Sequence, residues 1–369
     1  MLGALAADRS RVADLDVEIL VLEQALSALR VQRTQAQDRL DAYKYPVLTF
    51  PNEITAEIFT HFLPNYPYCP TLIGGYSPTL LTQVCRKWRE IALQTPTLWR
   101  AISLPDRNIP VEEQKRLSDV WLSRSPGCPI SFHYDKDLNE DSGEAEFLST
   151  IAPYRARLED LVVNLDSISQ LRAIEGPLPL LHRLVLLLEE PDDPLTKVSF
   201  LEAPLLRTVL LEGICVDDIT LPWTQLTSLA LYAIPPRRCA PVLRQTLNLV
   251  HCELLFVGDL ADTDALDATL PSLQSLALTH VREDYPMTGF LQTLIVPALC
   301  SLRVPEPSLG PDPTNTLQSF VSRSGCKLQE LCVMGTKPGS NASYDTAFPS
   351  AKISFTGWTM YHADPWLNF

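Results

Sequence analysis

The sequence predicts an α/β chain in two textures: helices at the N-terminal end, then short parallel strands stacked with short helices outside them. Three observations predict it. Leu15, Ile19, Leu22, Leu26 and Leu29 recur at alternating spacings of 4 and 3, the seam of a long amphipathic helix. An L-x-x-L-x-L pattern returns eight times from residue 158 onward, about 24 residues apart. A hydrophobic share of 46% against 20% charged supplies apolar surface for a sizeable core, and 369 residues are enough for two or three units.

The elements follow in order. Residues 13–43 read as the seamed helix, within a first unit of 1–45. Beyond Leu29 the seam weakens to Arg33, Ala36 and Leu40, so two readings stay open: packing on its own chain, or self-association between copies. Pro46 closes it and opens a helical unit spanning 46–104. There "FPNEITAEIFTHFL" (50–63) reads as a helix, "PNYPYCPTLIGGYSP" (64–78) as a loop with four prolines and two glycines, and the following stretch as helix to about residue 100. A connecting unit, 105–157, holds a helix over 111–125 that begins just after Pro110, with Leu117, Val120, Trp121 and Arg124 on one face, and from about residue 129 a first strand and helix.

The repeats occupy 158–335, as "LEDLVV", "LHRLVL", "LRTVLL", "LTSLAL", "LVHCEL", "LQSLAL", "LCSLRV" and "LQELCV". Alternate residues of a strand point to opposite faces, so the leucines of each copy stack inward on those of the next. One copy cannot bury its apolar side alone, and stacking gives a curved solenoid with a parallel sheet on its concave face. The aromatic tail "SFTGWTMYHADPWLNF", inside a last unit of 336–369, is expected to cap the array.

Charge and composition narrow the function classes. Residues 158–369 carry 24 acidic against 13 basic side chains, −11 of the formal −14, and no Lys/Arg stripe runs anywhere, so nucleic acid and anionic membrane surfaces are poor partners. Nine scattered cysteines without a C-x-x-C suit a reducing compartment and predict no zinc site or other metal. "MLGALAADRSR" is too quickly charged for a signal peptide, and no apolar run approaches a membrane span. A cytoplasmic or nuclear protein is expected, and the Asn341-Ala-Ser343 sequon reads as chance. No nucleotide-binding loop, G-x-S-x-G or H-E-x-x-H occurs, so no catalytic residue and no cofactor is expected. The acidic "EEPDDP" (189–194) reads as a solvated turn, and His251-Cys252 as a core pair.

Two resemblances sharpen this. Residues 158–335 resemble the leucine-rich repeat family in their repeats, though the Asn or Cys of that family is replaced by residues such as Asp166, Ile234 and Val257. Residues 48–102 read "LTFPNEITAEIFTHFLP", a Pro-rich loop, then "LLTQVCRKWREIALQTPTLWRAI". This order of Pro, Glu-Ile, Ile-Phe, Val-Cys-Arg-x-Trp and Pro-x-Leu-Trp resembles an F-box, and the whole chain is similar to fungal F-box proteins with irregular leucine repeats. The resemblance implies a substrate-recognition subunit of an SCF-type ubiquitin ligase. Its F-box would dock on a Skp-family adaptor and through it on the cullin/RING ligase.

On that reading the docking residues are Leu48, Pro51, Ile54, Ile58, Phe59, Leu63, Val84, Cys85, Trp88, Leu98 and Trp99. The outward strand positions Arg183, Thr208, Ser228, Tyr232, Ser275, Thr279, Arg303 and Glu330 would meet a target protein. The alternative is a repeat scaffold that oligomerises through 13–43 and never meets a ligase, with the F-box apolar residues serving only as core.

Overall fold

The computed structural model describes residues 2–43, 46–104, 106, 109–135, 144–188, 197–213, 216–258, 268–280, 286–335 and 341–357. The acidic turn 189–194 and residues 358–369 of the tail lie outside the described residues. The chain divides into two compact units, Met1–Ile58 and Phe59–Phe369.

The first unit is built on α1 (Leu2–Ala42), a single uninterrupted helix of 41 residues. At 1.5 Å rise per residue it runs for roughly 60 Å. A short 3-10 turn, Pro46–Thr49, leads into α2 (Asn52–Phe62), whose last turn belongs to the second unit.

In the second unit the chain forms α3 (Pro78–Val84), α4 (Arg86–Leu93), β1 (Ala101–Leu104), α5 (Val111–Ser123), β2 (Ile130–Tyr134), α6 (Glu144–Ile151), β3 (Leu158–Leu165) and β4 (Arg183–Leu188). Then come β5 (Val198–Ser199), β6 (Thr208–Glu212), β7 (Ile219–Thr220), β8 (Ser228–Ile234), α7 (Pro236–Leu243), β9 (His251–Phe256), β10 (Ala268–Thr269) and β11 (Ser275–His280). The last elements are α8 (Thr288–Thr293), β12 (Leu294–Ile295), β13 (Ser301–Pro305), α9 (Pro313–Ser324), β14 (Glu330–Met334), α10 (Asn341–Ala347) and β15 (Lys352–Thr356).

Eleven strands form one sheet in chain order, β1-β2-β3-β4-β6-β8-β9-β11-β13-β14-β15, and every described pairing is parallel. The pairs β5–β7 and β10–β12 form two small parallel sheets of their own. The sheet therefore extends past the expected repeat range at both ends: β1 and β2 precede residue 158, and β15 follows residue 335.

Register explains why the leucines recur. Leu184, Val209, Leu229, Cys252, Leu276, Leu302, Leu331 and Ile353 stand side by side across eight strands. Two residues on, Leu186, Leu211, Leu231, Leu254 and Leu278 do the same. All of these but the edge residue Ile353 are 3% exposed or less, and each fully buried Leu contributes about 1.5–3 kcal/mol. Helices pack onto this face: Phe290 of α8 meets Phe256 of β9 edge-on at 5.0 Å, and Tyr344 of α10 meets Phe355 of β15 at 5.9 Å.

The first leucine of each motif closes a turn before the strand. Leu181, Leu206, Leu226, Leu249 and Leu299 each donate their N–H to the carbonyl three residues back, at 3.1–3.2 Å. The next turns are tied mainly by backbone. The carbonyls of His182, Arg207, Thr227, Val250, Gln274 and Cys300 each accept two successive N–H groups of the following repeat, at 2.7–3.1 Å. This ladder pairs the amides that lead into each strand with the preceding repeat.

Candidate functional site: two interaction surfaces

The segment resembling an F-box does not run as one helix to residue 100. Cys85 is extended (φ −156, ψ 170) and separates α3 from α4, and its Sγ accepts from the Trp88 N–H at 3.5 Å as an N-cap. A 3-10 turn, Pro96–Trp99, then leads straight into β1, so residues 101–104 belong to the sheet rather than to the helical unit.

This break sorts the predicted docking residues. Phe59, Leu98 and Trp99 are at most 1% exposed. Phe59 stacks edge-on against Trp88 at 4.9 Å. Trp99 packs on Trp121 of α5 at 5.1 Å, under the Arg124 guanidinium, and donates Nε1 to the Ala92 carbonyl at 2.8 Å. These three are internal braces, not partner contacts, because no partner reaches them in the folded chain. Leu48, Leu63, Cys85 and Trp88 are half-buried, and Pro51 is exposed. Ile91 and Ala92 are core, whereas Val84, across the break, stands out at 57% exposure.

What remains at the surface is large and apolar. On α2, Ile54 and Ile58 lie one turn apart and are 52% and 48% exposed. On α3, Leu80 and Val84 repeat the same spacing and are also exposed, with Tyr76 just before the helix at 69%. An exposed aliphatic pair on a one-turn row, found on each of these helices, is unusual for a helix face that meets only water.

The second surface is the sheet face opposite the leucines. Its rows are not uniformly open. At the N-terminal end the Pro-rich loop folds across β2 and β3: Ser131 Oγ donates to the Pro67 carbonyl at 2.6 Å, and the Cys69 sulfur lies 3.2 Å from the same hydroxyl. The Tyr66 hydroxyl donates to Glu159 at 2.5 Å, and the Arg100 guanidinium stacks 3.8 Å over the Tyr66 ring. Under this cover burial pushes the Cys69 thiol up to about 12 and raises the Tyr66 phenol.

Arg183 is consumed by the same packing. It holds Asp160 at 3.2 Å, with both side chains largely buried. Burial raises the Asp160 carboxyl to about 6, and the Arg183 cation only partly offsets that rise. Arg183 is therefore a structural partner rather than a free contact for a target.

From β6 onward the face opens. Thr208, Ser228, Ser275 and Ser301 put small hydroxyls on one row, interrupted by His251 and each half-buried, and Tyr232 is half-buried within β8. At the C-terminal strands the face deepens into a groove of about 350 Å³, lined by His251, Glu253, Ser275, Arg303, Glu330 and Lys352 among others. Glu253 is only 5% exposed, Arg303 half-buried, and Glu330 and Lys352 exposed, so charges of both signs border the floor formed by Ala277. Burial lowers the His251 imidazole below its ordinary range and so favours the neutral ring.

Thr279, predicted to face outward, is 2% exposed and lies within 3.4 Å of the Leu254 carbonyl. Its cross-strand neighbour Leu255 is buried too, as is Met334, so Thr279 is not open to a target. His251 faces this groove half-buried, while Cys252 points into the core, so the two residues are not one core pair. Sequence reasoning missed His251, Glu253 and Lys352 as lining residues. His251 sits at the same motif offset as Ser228 and Ser275, and that offset is the signal that identifies it.

Among the described residues no group of three or more His, Cys, Asp or Glu side chains is placed to hold a metal ion, and no helix is long and apolar enough to cross a membrane. The chain matches no protein-family model and no curated protein.

Proposed function

We propose that this chain is the substrate-recognition subunit of an SCF-type ubiquitin ligase. Residues 46–104 act as an F-box that docks on a Skp-family adaptor, and the stacked strands form a leucine-repeat solenoid that holds a target protein. The observation that carries this reading is the ordered motif of residues 48–102 together with its unburied apolar groups, Ile54 and Ile58 on α2 and Leu80 and Val84 on α3. Apolar groups left exposed mark a surface that meets a partner, and these four stand in water. The chain performs no chemistry itself; it raises the local concentration of a target beside a ligase that does.

Target contact falls on the open half of the sheet, from Thr208 to Lys352. The N-terminal end is closed by the Pro-rich loop, and the mixed charge around Glu253, Arg303 and Glu330 suits an extended polar segment whose register is fixed by ion pairs.

Co-purification with a Skp-family adaptor tests the reading. Wild type is expected to retain the adaptor, and Ile54→Asp or Ile58→Asp to lose it without loss of fold, since both side chains are exposed. Failure of the wild type to bind at micromolar adaptor overturns the ligase assignment and leaves a repeat scaffold. Trp88→Ala is a poor probe, because it removes the ring that packs on Phe59.

A further inference from the structure

Every described side chain of α1 is exposed, yet the helix carries a regular apolar seam. Counted in heptads, Val12, Ile19 and Leu26 take position a, with exposures of 57%, 52% and 48%. Leu15, Leu22 and Leu29 take position d, at 39%, 61% and 61%. Six large side chains on one stripe of a free helix, all left in water, are a surface waiting for cover. Other exposed apolar residues, Val17, Leu20 and Val21, do not form a rival stripe: one heptad later stand Gln24, Ser27 and Ala28.

We propose that α1 pairs with α1 of a second copy of this chain as a parallel, in-register, two-stranded coiled coil centred on residues 12–29. The identities at the seam select the occupant. Val or Ile at a with Leu at d favours two parallel strands over three or four, because branched side chains at a pack side by side there. The seam is bounded at both ends, by Asp8 at a d position and Arg33 at an a position, and a polar residue at a fixes register.

The flanking charges agree in part. In a parallel pair, Arg11 at g faces Asp16 at e of the second copy, an attraction made twice by symmetry. Glu18 at g faces Glu23 at e of the second copy, a like pair that opposes association. Three heptads are near the lower limit for a stable coil, and one repulsive layer weakens it further, so the dimer is reversible at micromolar concentration. The pairing stands independently of adaptor docking. If both hold, each assembly presents two target grooves, and a target with two matching segments is held more tightly than either groove alone would hold it.

Sedimentation equilibrium of the full chain tests this. The wild type is expected to move reversibly from one chain to two as concentration rises. Leu22→Asp is expected to abolish the dimer, while Val17→Asp, equally apolar in origin but off the seam, leaves it. Glu23→Lys converts the repulsive layer into an attractive one and is expected to tighten the dimer severalfold, a gain that damage to the fold cannot imitate. Ala36→Cys is expected to give a disulfide-linked dimer on mild oxidation, since only the parallel register brings residue 36 beside its copy. A wild type that stays a single chain at its highest soluble concentration overturns the proposal. So does a trimer or tetramer, equal effects of Leu22→Asp and Val17→Asp, no tightening by Glu23→Lys, or no cross-link at residue 36.

Discussion

Gly213 closes β6 with φ +71, and a Cβ built there would lie 2.1 Å from the Leu188 carbonyl oxygen at the end of β4. Gly258 has nearly the same backbone, φ +80, with nothing within 4 Å of its Cβ. The two positions separate backbone strain from steric collision. A left-handed alanine costs about 1–2 kcal/mol at either site. At Gly213 the collision is with backbone, so the chain must move by roughly 1 Å before contact becomes tolerable. A strand-end hydrogen bond stretched that far is lost, at about 1–3 kcal/mol for a buried group left unmade.

Gly213→Ala is therefore expected to cost about 2–5 kcal/mol and Gly258→Ala about 1–2 kcal/mol. Urea unfolding followed by far-UV circular dichroism reads both, provided the m-value is unchanged. Equal costs within about 0.5 kcal/mol would refute the reasoning, because β4 and β6 would then not be packed as adjacent strands with Leu188 at the turn.

Three further outcomes follow from the packing. The Asp160 carboxyl sits at about 6 in the fold against an ordinary 3.8, so the folded chain binds the extra proton between those values. Its contribution to stability is full below about pH 4 and falls by about 3 kcal/mol as pH rises through 6; the stability difference between wild type and Asp160→Asn is expected to shrink by that amount over this window, and a flat difference contradicts it. Trp99→Ala is expected to cost about 3–5 kcal/mol, whereas Val84→Ala changes stability by less than about 0.5 kcal/mol; thermal unfolding that ranks them the other way contradicts the assignment of brace and surface. The thiols of Cys239 and Cys252 are buried and raised, so native alkylation is expected to spare them and to label half-buried Cys85, Cys128, Cys300 and Cys332 before them; rapid labelling of Cys252 speaks against its place in the leucine row.

Much of the sheet was legible because its signal is local. Each strand of the repeat range in the eleven-stranded sheet carries its own leucines, and the period between copies is set by how much chain one crossover needs; the two-residue strands β5, β7 and β10 carry none. The edge strands β1 and β15 were not read, because "AISL" and "KISFT" alternate correctly but lack the leading leucines, and partner strands alone make them part of the sheet. The break at Cys85 was hidden for a different reason: no proline or glycine marks it, and a cysteine N-cap is not a recognised stop signal. The closing of the open face by Cys69 and Pro67 joins residues more than 60 positions apart, which no periodicity reports. The candidate docking set is mixed in exposure. Apolar spacing marks a helix face; only packing tells which of Phe59 and Ile58 that face keeps for itself.

Hydrogen–deuterium exchange of the full chain, with and without a Skp-family adaptor, bears most directly on the central claim. The account predicts adaptor-dependent protection within residues 48–63 and 78–88, with the amides of β6 to β15 unchanged. Protection confined to the sheet strands, or none anywhere at saturating adaptor, would contradict it.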